Sequence, residues 1–600
     1  MIMPDDVFSA YDRAFAGLLC RLAGEESREL SLAACLASRR TAAGDVCLDI
    51  VAAAEGALSE YPPGFLPDDA GRWIEALVKS PVVGAPGDYR PLILDEKGRL
   101  YLYRYWKYEH SLAGAIARMS SRARADYDAA LLGEGLERMF GRPSGGPDLQ
   151  RLAAAVAVMK SFTVVSGGPG TGKTSTVVRI LALLAEQALS SGRHMRAALA
   201  APTGKAAVRL QEAVRGALDT LPCDPRVRRC LPAEALTLHR LLESLPGSPY
   251  FRHNAGNPLP YDVVVVDESS MADLPLMAKL ADALLPDARL ILLGDRDQLS
   301  SVEAGAVLGD ICNTGAEHHY SKHFAAEVAR LTGCGPPASR AGVPPISDSI
   351  VMLKKSYRFD ETGGIGALAR AVREGNADEA VRILRSGTDG VILREDVDAG
   401  TLASAIRVNA IEGLKAVASG REPRESFARM SEQALLCALR RGALGVTGLN
   451  ESVERILSEE GLVNPRERWY AGRPVMVTRN DYSLGLYNGD MGVILDGAEG
   501  LRAWFPSGDG GARSLMPRLL PEHETVYAMT VHKSQGSEFD RVIMVMPEKI
   551  SPVLTRELVY TGVTRARRSV EIWSPAEVLA SAVETPVRRA SGLRDALWGN

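Results

Sequence analysis

The chain has 600 residues, 46% apolar and 24% charged, enough for several domains that each bury an ordinary core. Its 70 basic and 74 acidic side chains leave a net charge of −4 and a pI near 6.2, which excludes a uniformly basic nucleic-acid coat but not a channel lined by local basic patches. The eight cysteines (20, 35, 47, 223, 230, 312, 334 and 437) form no C-x-x-C pair, so reduced thiols are expected rather than a zinc site or a disulfide framework.

The opening MIMPDDVFSAYDRAF lacks a basic stretch leading into an apolar one, and no run of about 18 apolar residues occurs, so a cytoplasmic protein is expected. Apolar spacing over 8–22 and 30–36 predicts amphipathic helices in a mainly helical region, 1–120, with a turn at Pro62-Pro63-Gly64. Within it, residues 91–94 and 99–106 (RLYLYRYW) read as two strands joined by Asp95-Glu96-Lys97-Gly98. The aromatics beside Arg104 and Lys107 could form a base-stacking platform, but their alternation with leucine fits one half-buried strand face better. A Gly/Pro-rich link, 141–147, follows.

The next stretch, SFTVVSGGPGTGKTST at 161–176, organises the rest of the chain. An apolar run meets a glycine-rich loop and then a helical pattern over 175–187, the context that the G-x-x-x-x-G-K-[ST] pattern requires. The loop's glycines let successive backbone N–H groups converge on one point, and the helix adds its positive N-terminal end. The sequence therefore predicts a nucleoside triphosphate site built from Gly167, Gly168, Pro169, Gly170, Thr171, Gly172, Lys173, Thr174 and Ser175. In it Lys173 reaches the β/γ-phosphates and the Thr174 hydroxyl holds Mg²⁺. Three further apolar strands, 197–201, 261–266 and 289–293, end in Pro202-Thr203-Gly204-Lys205, Asp267-Glu268-Ser269-Ser270 and Gly294-Asp295-Arg296-Asp297-Gln298. Near-continuous apolar strands alternating with helices predict a parallel sheet covered on both faces, with ligands at the carboxyl ends of its strands.

Residues 306–350 are rich in Gly and Pro and read as a long surface insertion, after which a second α/β pattern begins near Ile350. Strand-like segments around 465–525 interrupt it, with Asn488-Gly489 as a hairpin signal. There is no internal repeat.

Asp267, directly after a run of valines, is placed to bind the Mg²⁺ held by Thr174, and Glu268 to orient and deprotonate the attacking water. Gln298 can bond the γ-phosphate or that water, and Arg358 and Arg565, both from the second α/β region, are candidate arginine fingers.

These motifs together with Thr237-Leu238-His239, Ser356-Tyr357-Arg358, the run 530–538 (TVHKSQGSE) and the run 560–567 (YTGVTRAR) resemble superfamily 1 helicases in content and order. Residues 44–48, 100–106 and 434–440 extend the likeness over nearly the whole chain. Within that superfamily the sequence is similar to the RecD family, the alpha chains of exodeoxyribonuclease V (RecBCD). The resemblance implies an α/β fold of two RecA-like P-loop motor domains with parallel sheets, a helical N-terminal domain and a small SH3-like β insertion. It puts an N-terminal partner-docking domain at 1–120 and the first motor domain at 121–347, with a small insertion near 212–235 as candidate strand-separating pin. The second motor domain falls at 348–469 and 521–600, and the SH3-like insertion at 470–520. It further implies an ATP- and Mg²⁺-dependent 5′→3′ DNA helicase in double-strand break repair and recombination, acting on single-stranded, 5′-tailed or blunt-ended DNA beside RecB-type and RecC-type subunits. Gln150 matches the adenine-side glutamine, and Pro202, Thr203, His239, Thr530 and His532 match DNA-contacting positions. His239 and His532 fit buried, hydrogen-bonded histidines as well. Ser269 departs from the family pattern, small for small.

Two other readings remain: a stand-alone RecD-like helicase without nuclease partners, and a structural subunit whose ATPase only regulates others. No nuclease constellation is found, so cleavage is expected in a partner.

Overall fold

The computed structural model describes residues 7–599 except 59–60, 63, 123, 125, 143–147, 314–317, 334, 340–341, 360–362, 420–421, 482, 499 and 508–510. Pro63, Cys334 and most of the link expected at 141–147 thus lie outside the described residues.

Helices Ala10–Ala23 and Arg28–Ala42 pack on each other and on a four-stranded sheet ordered Leu48–Asp49, Arg99–Leu102, Leu92–Leu94, Val83–Gly84. The second of the two expected strands stops at Leu102, and Tyr103–Ser121 is a helix rather than strand as far as 106. The spacing of what is buried decides this: Glu109, Leu112, Ala113 and Ile116 recur at helical intervals, and Trp106 stacks on His110 one turn away (5.1 Å). That helix covers one face of the first motor sheet, with Leu112 and Ile116 in the same core as Phe162, Val164 and Leu290.

The first motor sheet is six-stranded and wholly parallel, ordered Ile350–Leu353, Phe162–Gly167, Arg289–Gly294, Val263–Val266, Ala197–Ala201, Ala235–Thr237. Helices Leu149–Met159 and Lys173–Ser190 fill its other face. Two expectations are corrected here. Ile350–Leu353 does not begin the second pattern; it pairs with the phosphate-loop strand and so belongs to the first sheet. The region 306–350 is not a surface insertion either, because Ile311, Cys312, Tyr320, Phe324 and Val328 are buried and helix Lys322–Thr332 packs against Leu149–Met159. In the segment 212–235, the candidate pin, helix Gly204–Leu218 takes up the start, and Leu221, Val227 and Leu231 sink into the core beside Lys173–Ser190.

A second parallel sheet runs Val391–Arg394, Ala566–Trp573, Phe539–Val545, Gln433–Cys437, Ala528–Thr530. Between helix Val446–Glu459 and strand Ala528–Thr530 the chain builds a five-stranded antiparallel sheet from Pro474–Val477, Met491–Gly497, Gly500–Pro506, Ala512–Leu515 and His523–Thr525. The first two pair as a hairpin, but Asn488-Gly489 closes a long loop rather than a two-residue turn. Among the described residues no helix is long and apolar enough to cross a membrane.

Candidate active site

The site lies at the carboxyl edge of the first sheet. Phe162–Gly167 is buried throughout, and the chain then turns through Gly170 and Gly172 at φ +77° and +82°, a backbone that side chains other than glycine disfavour. Gly172 also caps helix Lys173–Ser190 with no side chain accepting from its first turn, so those N–H groups face the loop's concavity without an intrahelical partner. Close neighbours explain the glycines further. An added Cβ would lie 2.4 Å from Arg358 Cβ at Gly170, 2.3 Å from Gln150 Nε2 at Gly172 and 2.9 Å from Tyr560 Oη at Gly168. Gln150 donates to the Thr171 carbonyl (2.9 Å), and Thr171 Oγ1 donates to that of Gly168 (2.8 Å). Lys173 Nζ donates to the carbonyls of Gly167 and Gly168. Thr174 and Ser175 follow in the helix's first turn.

Asp267 and Glu268 end the Val263–Val266 strand, two places along the sheet from the phosphate loop. Burial and the neighbouring Glu268 push the Asp267 carboxyl up, and Lys173 partly offsets them. Such a carboxylate is one that a cation would stabilise. Glu268 sits at φ +49°, a left-handed conformation rare for a non-glycine residue, anchored through its N–H on Asp267 Oδ1 (2.8 Å) and through Ser269 Oγ on the Leu293 carbonyl (2.7 Å). On the intervening strand end, Asp295 Oδ2 accepts from Gln298 Nε2 (3.0 Å) and from Tyr560 Oη (3.2 Å), a tyrosine of the second motor domain.

Arg358 follows the Ile350–Leu353 strand and is pinned beside the phosphate loop: Tyr357 N donates to Gly170 O (2.9 Å) and Ser356 Oγ to Pro169 O (3.2 Å). Its Nη2 pairs with Glu538 of the second domain (2.5 Å), while Nη1 is buried with no hydrogen-bond partner among the described residues. Arg565 comes from across the cleft, as expected of the second α/β region, whereas Arg358, expected from that region too, follows a strand of the first sheet. Arg565 is buried, bonded to the carbonyls of Thr561 (3.2 Å) and Ser537 (3.3 Å), and close enough to Glu268 and Glu538 for their charges to counter the burial that lowers its pKa. A cavity of about 800 Å³ runs from Asp148 and Leu149 past Gly167, Gly168, Pro169 and Thr171 to Asp295, Arg373 and Tyr560.

The positions expected to meet DNA also fall on strand ends. Thr203 caps helix Gly204–Leu218 just after Pro202, and Ala201 pairs with Thr237, two residues before His239. His239 packs edge-on against Phe251 (5.7 Å), and burial lowers its pKa. Thr530 ends its strand on the second sheet and His532 opens the next turn, its pKa lowered by burial and by Arg589. Lys205 joins the two edges by donating to Ser537 Oγ, and burial brings its ammonium down to about 8. Sequence reasoning gave no role to Lys205 or Glu538, although both stand inside the quoted motifs.

A phosphate loop alone serves many enzymes. Here Arg565, Glu538 and Tyr560 of the second motor domain complete the cleft, and this defines an ATP-driven motor of the helicase class. Sequence families agree part by part. The AAA domain matches residues 150–304, the UvrD-like helicase C-terminal domain 525–572, and the N-terminal domain of RecBCD enzyme subunit RecD 5–101. Among whole proteins, the chain is 42% identical over 592 residues to the RecBCD enzyme subunit RecD of Mycobacterium tuberculosis, covering 98% of this chain and 94% of that one. It is 38% identical over 524 residues to that of Haemophilus influenzae (83% and 80% covered). It is 30% identical over 480 residues to the ATP-dependent RecD2 DNA helicase of Deinococcus radiodurans, with 78% of this chain and 54% of that one covered. The chain belongs to the RecD family.

Proposed function

We propose that this protein is the RecD-type motor of a RecBCD-type helicase–nuclease complex, an ATP-dependent 5′→3′ DNA helicase of double-strand break repair and recombination. The carrying observation is the cleft itself: Arg358 offers a buried, unpaired Nη1 beside the phosphate loop, and Arg565 arrives from the opposite domain. Hydrolysis then depends on both domains being closed, which is what turns an ATPase into a motor.

In this reading the N–H groups of residues 168–174 cradle the phosphates, Gln150 faces the adenine and Lys173 leaves the Gly167 and Gly168 carbonyls for the β/γ-phosphates. Thr174 and Asp267 would hold a Mg²⁺ ion, which supplies charge neutralisation on the phosphates. Glu268 takes the proton of the attacking water, Gln298 orients that water, and Arg358 and Arg565 stabilise the charge that builds on the γ-phosphate. Pro202, Thr203, His239, Thr530 and His532 line a single-stranded DNA path across both sheets, held by phosphate contacts and stacking with little sequence preference. Residues 243–258, which leave the first motor domain just after His239 with Ser244 bridged to Phe251 and Tyr250 69% exposed, replace 212–235 as the candidate strand-separating element.

The RecB-type and RecC-type partners would supply cleavage. A docking face for them is the outer stripe of helix Ala10–Ala23, where Tyr11, Leu18 and Leu22 are 75%, 45% and 59% exposed at helical spacing. The stand-alone alternative has less support, since identity falls from 42% with the RecD subunit to 30% with the RecD2 helicase. The deciding experiment is unwinding of forked duplexes bearing one 5′ or one 3′ tail, by the chain alone and with its complex. Unwinding from the 5′ tail only is expected, and equal use of both tails would refute the polarity.

A further inference from the structure

The last residues of the chain do not stay with the second motor domain. After helix Ala576–Glu584, Val587 N donates to Glu557 (2.9 Å), and the chain crosses back so that Leu593 and Leu597 are buried in the core of the first motor domain. At the crossing, one guanidinium gathers three carbonyls of a single loop. Arg589 Nη1 donates to the carbonyls of Glu303 (2.8 Å) and Gly305 (3.0 Å), and Nη2 to that of Ser301 (2.6 Å). Arginine's planar fork suits such a grip. Ser301 Oγ also donates to the Glu303 and Gly305 carbonyls (2.9 and 2.8 Å), so the Ser301 carbonyl is the one that, among the described residues, would lose its donor with Arg589.

The gripped loop begins three residues after Gln298. The intervening Leu299 is itself fixed to the second motor domain, its N–H on Thr561 Oγ1 (3.0 Å) and its carbonyl on Gln535 Nε2 (3.0 Å). Gln535 lies three residues beyond His532, and Arg589 is close enough to His532 for its charge to act on that imidazole. The N-terminal region meets the same point. Gly305 N donates to Gly44 O (3.0 Å), Ala590 N to Asp45 Oδ1 (2.7 Å) and Val46 N to Ala590 O (2.8 Å). Gly44, at φ +103°, leaves so little room that an added Cβ would stand 2.9 Å from Arg589 Cζ.

We infer that Arg589 is a positioning residue for hydrolysis: by holding loop 301–305 it keeps Gln298 in register with the γ-phosphate, and it ties that register to the His532 edge of the DNA path. The inference rests on the motor reading of the ATP site and adds to it a residue that touches neither substrate. It predicts that Arg589 matters most when DNA is bound, because DNA acts on the His532 side of the joint.

The test measures ATP hydrolysis by the full chain with Mg²⁺, with and without oligo-dT. Arg589→Ala is expected to lower the DNA-stimulated kcat about tenfold or more while the KM for ATP stays within about twofold, the pattern of a lost transition-state interaction. Arg589→Lys should recover part of the rate, since one ammonium can meet some of the three carbonyls, and Arg588→Ala, at an exposed neighbour, should leave the rate unchanged. In a Gln298→Ala background Arg589→Ala should add little further loss, because the two act as one unit. A folded Arg589→Ala protein with wild-type kcat and DNA stimulation would overturn the inference. So would equal losses in both backgrounds, or, if Arg589→Ala does not fold, a folded Arg589→Lys protein at the full wild-type rate. Absence of DNA-stimulated hydrolysis in the wild type would instead overturn the motor reading itself.

Discussion

Gly172→Ala isolates how far the phosphate loop is preformed. Gly172 holds φ +82° at the start of helix Lys173–Ser190, and a Cβ there would stand 2.3 Å from Gln150 Nε2. Holding alanine in the left-handed region costs about 1–2 kcal/mol. Pushing Gln150 aside forfeits its bond to the Thr171 carbonyl, worth about 1 kcal/mol. The sum, about 2–3 kcal/mol, falls on the one conformation that presents the N–H groups to phosphate, so ATP affinity should drop roughly 30- to 150-fold. Titration with a fluorescent ATP analogue reads this directly. Gly192→Ala is the control: its glycine has φ +71° in open space at the far end of the same helix, so it should cost stability but not affinity. A folded Gly172→Ala protein that binds within about threefold of wild type would refute the argument that this loop is set before the nucleotide arrives.

Three further outcomes are expected. Arg358→Ala should keep nucleotide binding but lower kcat by about 10³-fold or more, as for other arginine fingers, whereas Glu538→Gln, which removes the carboxylate now holding Arg358, should leave most of the rate; single-turnover hydrolysis distinguishes the two. Lys205 releases its proton at about 8 in the folded chain but near 10.4 when unfolded. Between those values the unfolded state binds more protons, so the wild type should gain thermal stability over Lys205→Met as pH rises from 8 to 10, and parallel melting curves would count against it. Finally, Leu18→Asp with Leu22→Asp should leave ATPase intact in the isolated chain and weaken assembly with RecC-type subunits about tenfold or more, measured by co-purification or interferometry; normal assembly would move the docking face elsewhere.

The parts of this protein that were legible in its sequence are those whose chemistry is local. A glycine loop between an apolar strand and a helix, or Asp-Glu after four valines, carries its own geometry, and the structure sets each such group on a strand end as expected. The misread parts are those where local pattern and tertiary packing disagree. Tyr, Leu and Trp over 99–106 alternate like a strand, but Trp106 and the residues beyond it bury at helical intervals, and the sheet face waiting for Leu112 and Ile116 decides the outcome. Residues 306–350 looked like a loop because Gly and Pro interrupt their periodicity, yet single apolar side chains such as Tyr320 and Phe324 are enough to bury the segment. Ile350–Leu353 has no sequence mark saying which of two sheets it joins; register with Val164 and Val165 settles that. Arg589 was invisible for a stronger reason. Its partners are backbone carbonyls some 285 residues away, which leave no residue pattern to find, because any loop offers carbonyls. A motor needs such connections more than most enzymes do. In the proposed reading its ATP and DNA sites are each assembled from two sheets, so residues that time one against the other are expected between the domains and outside both motif sets.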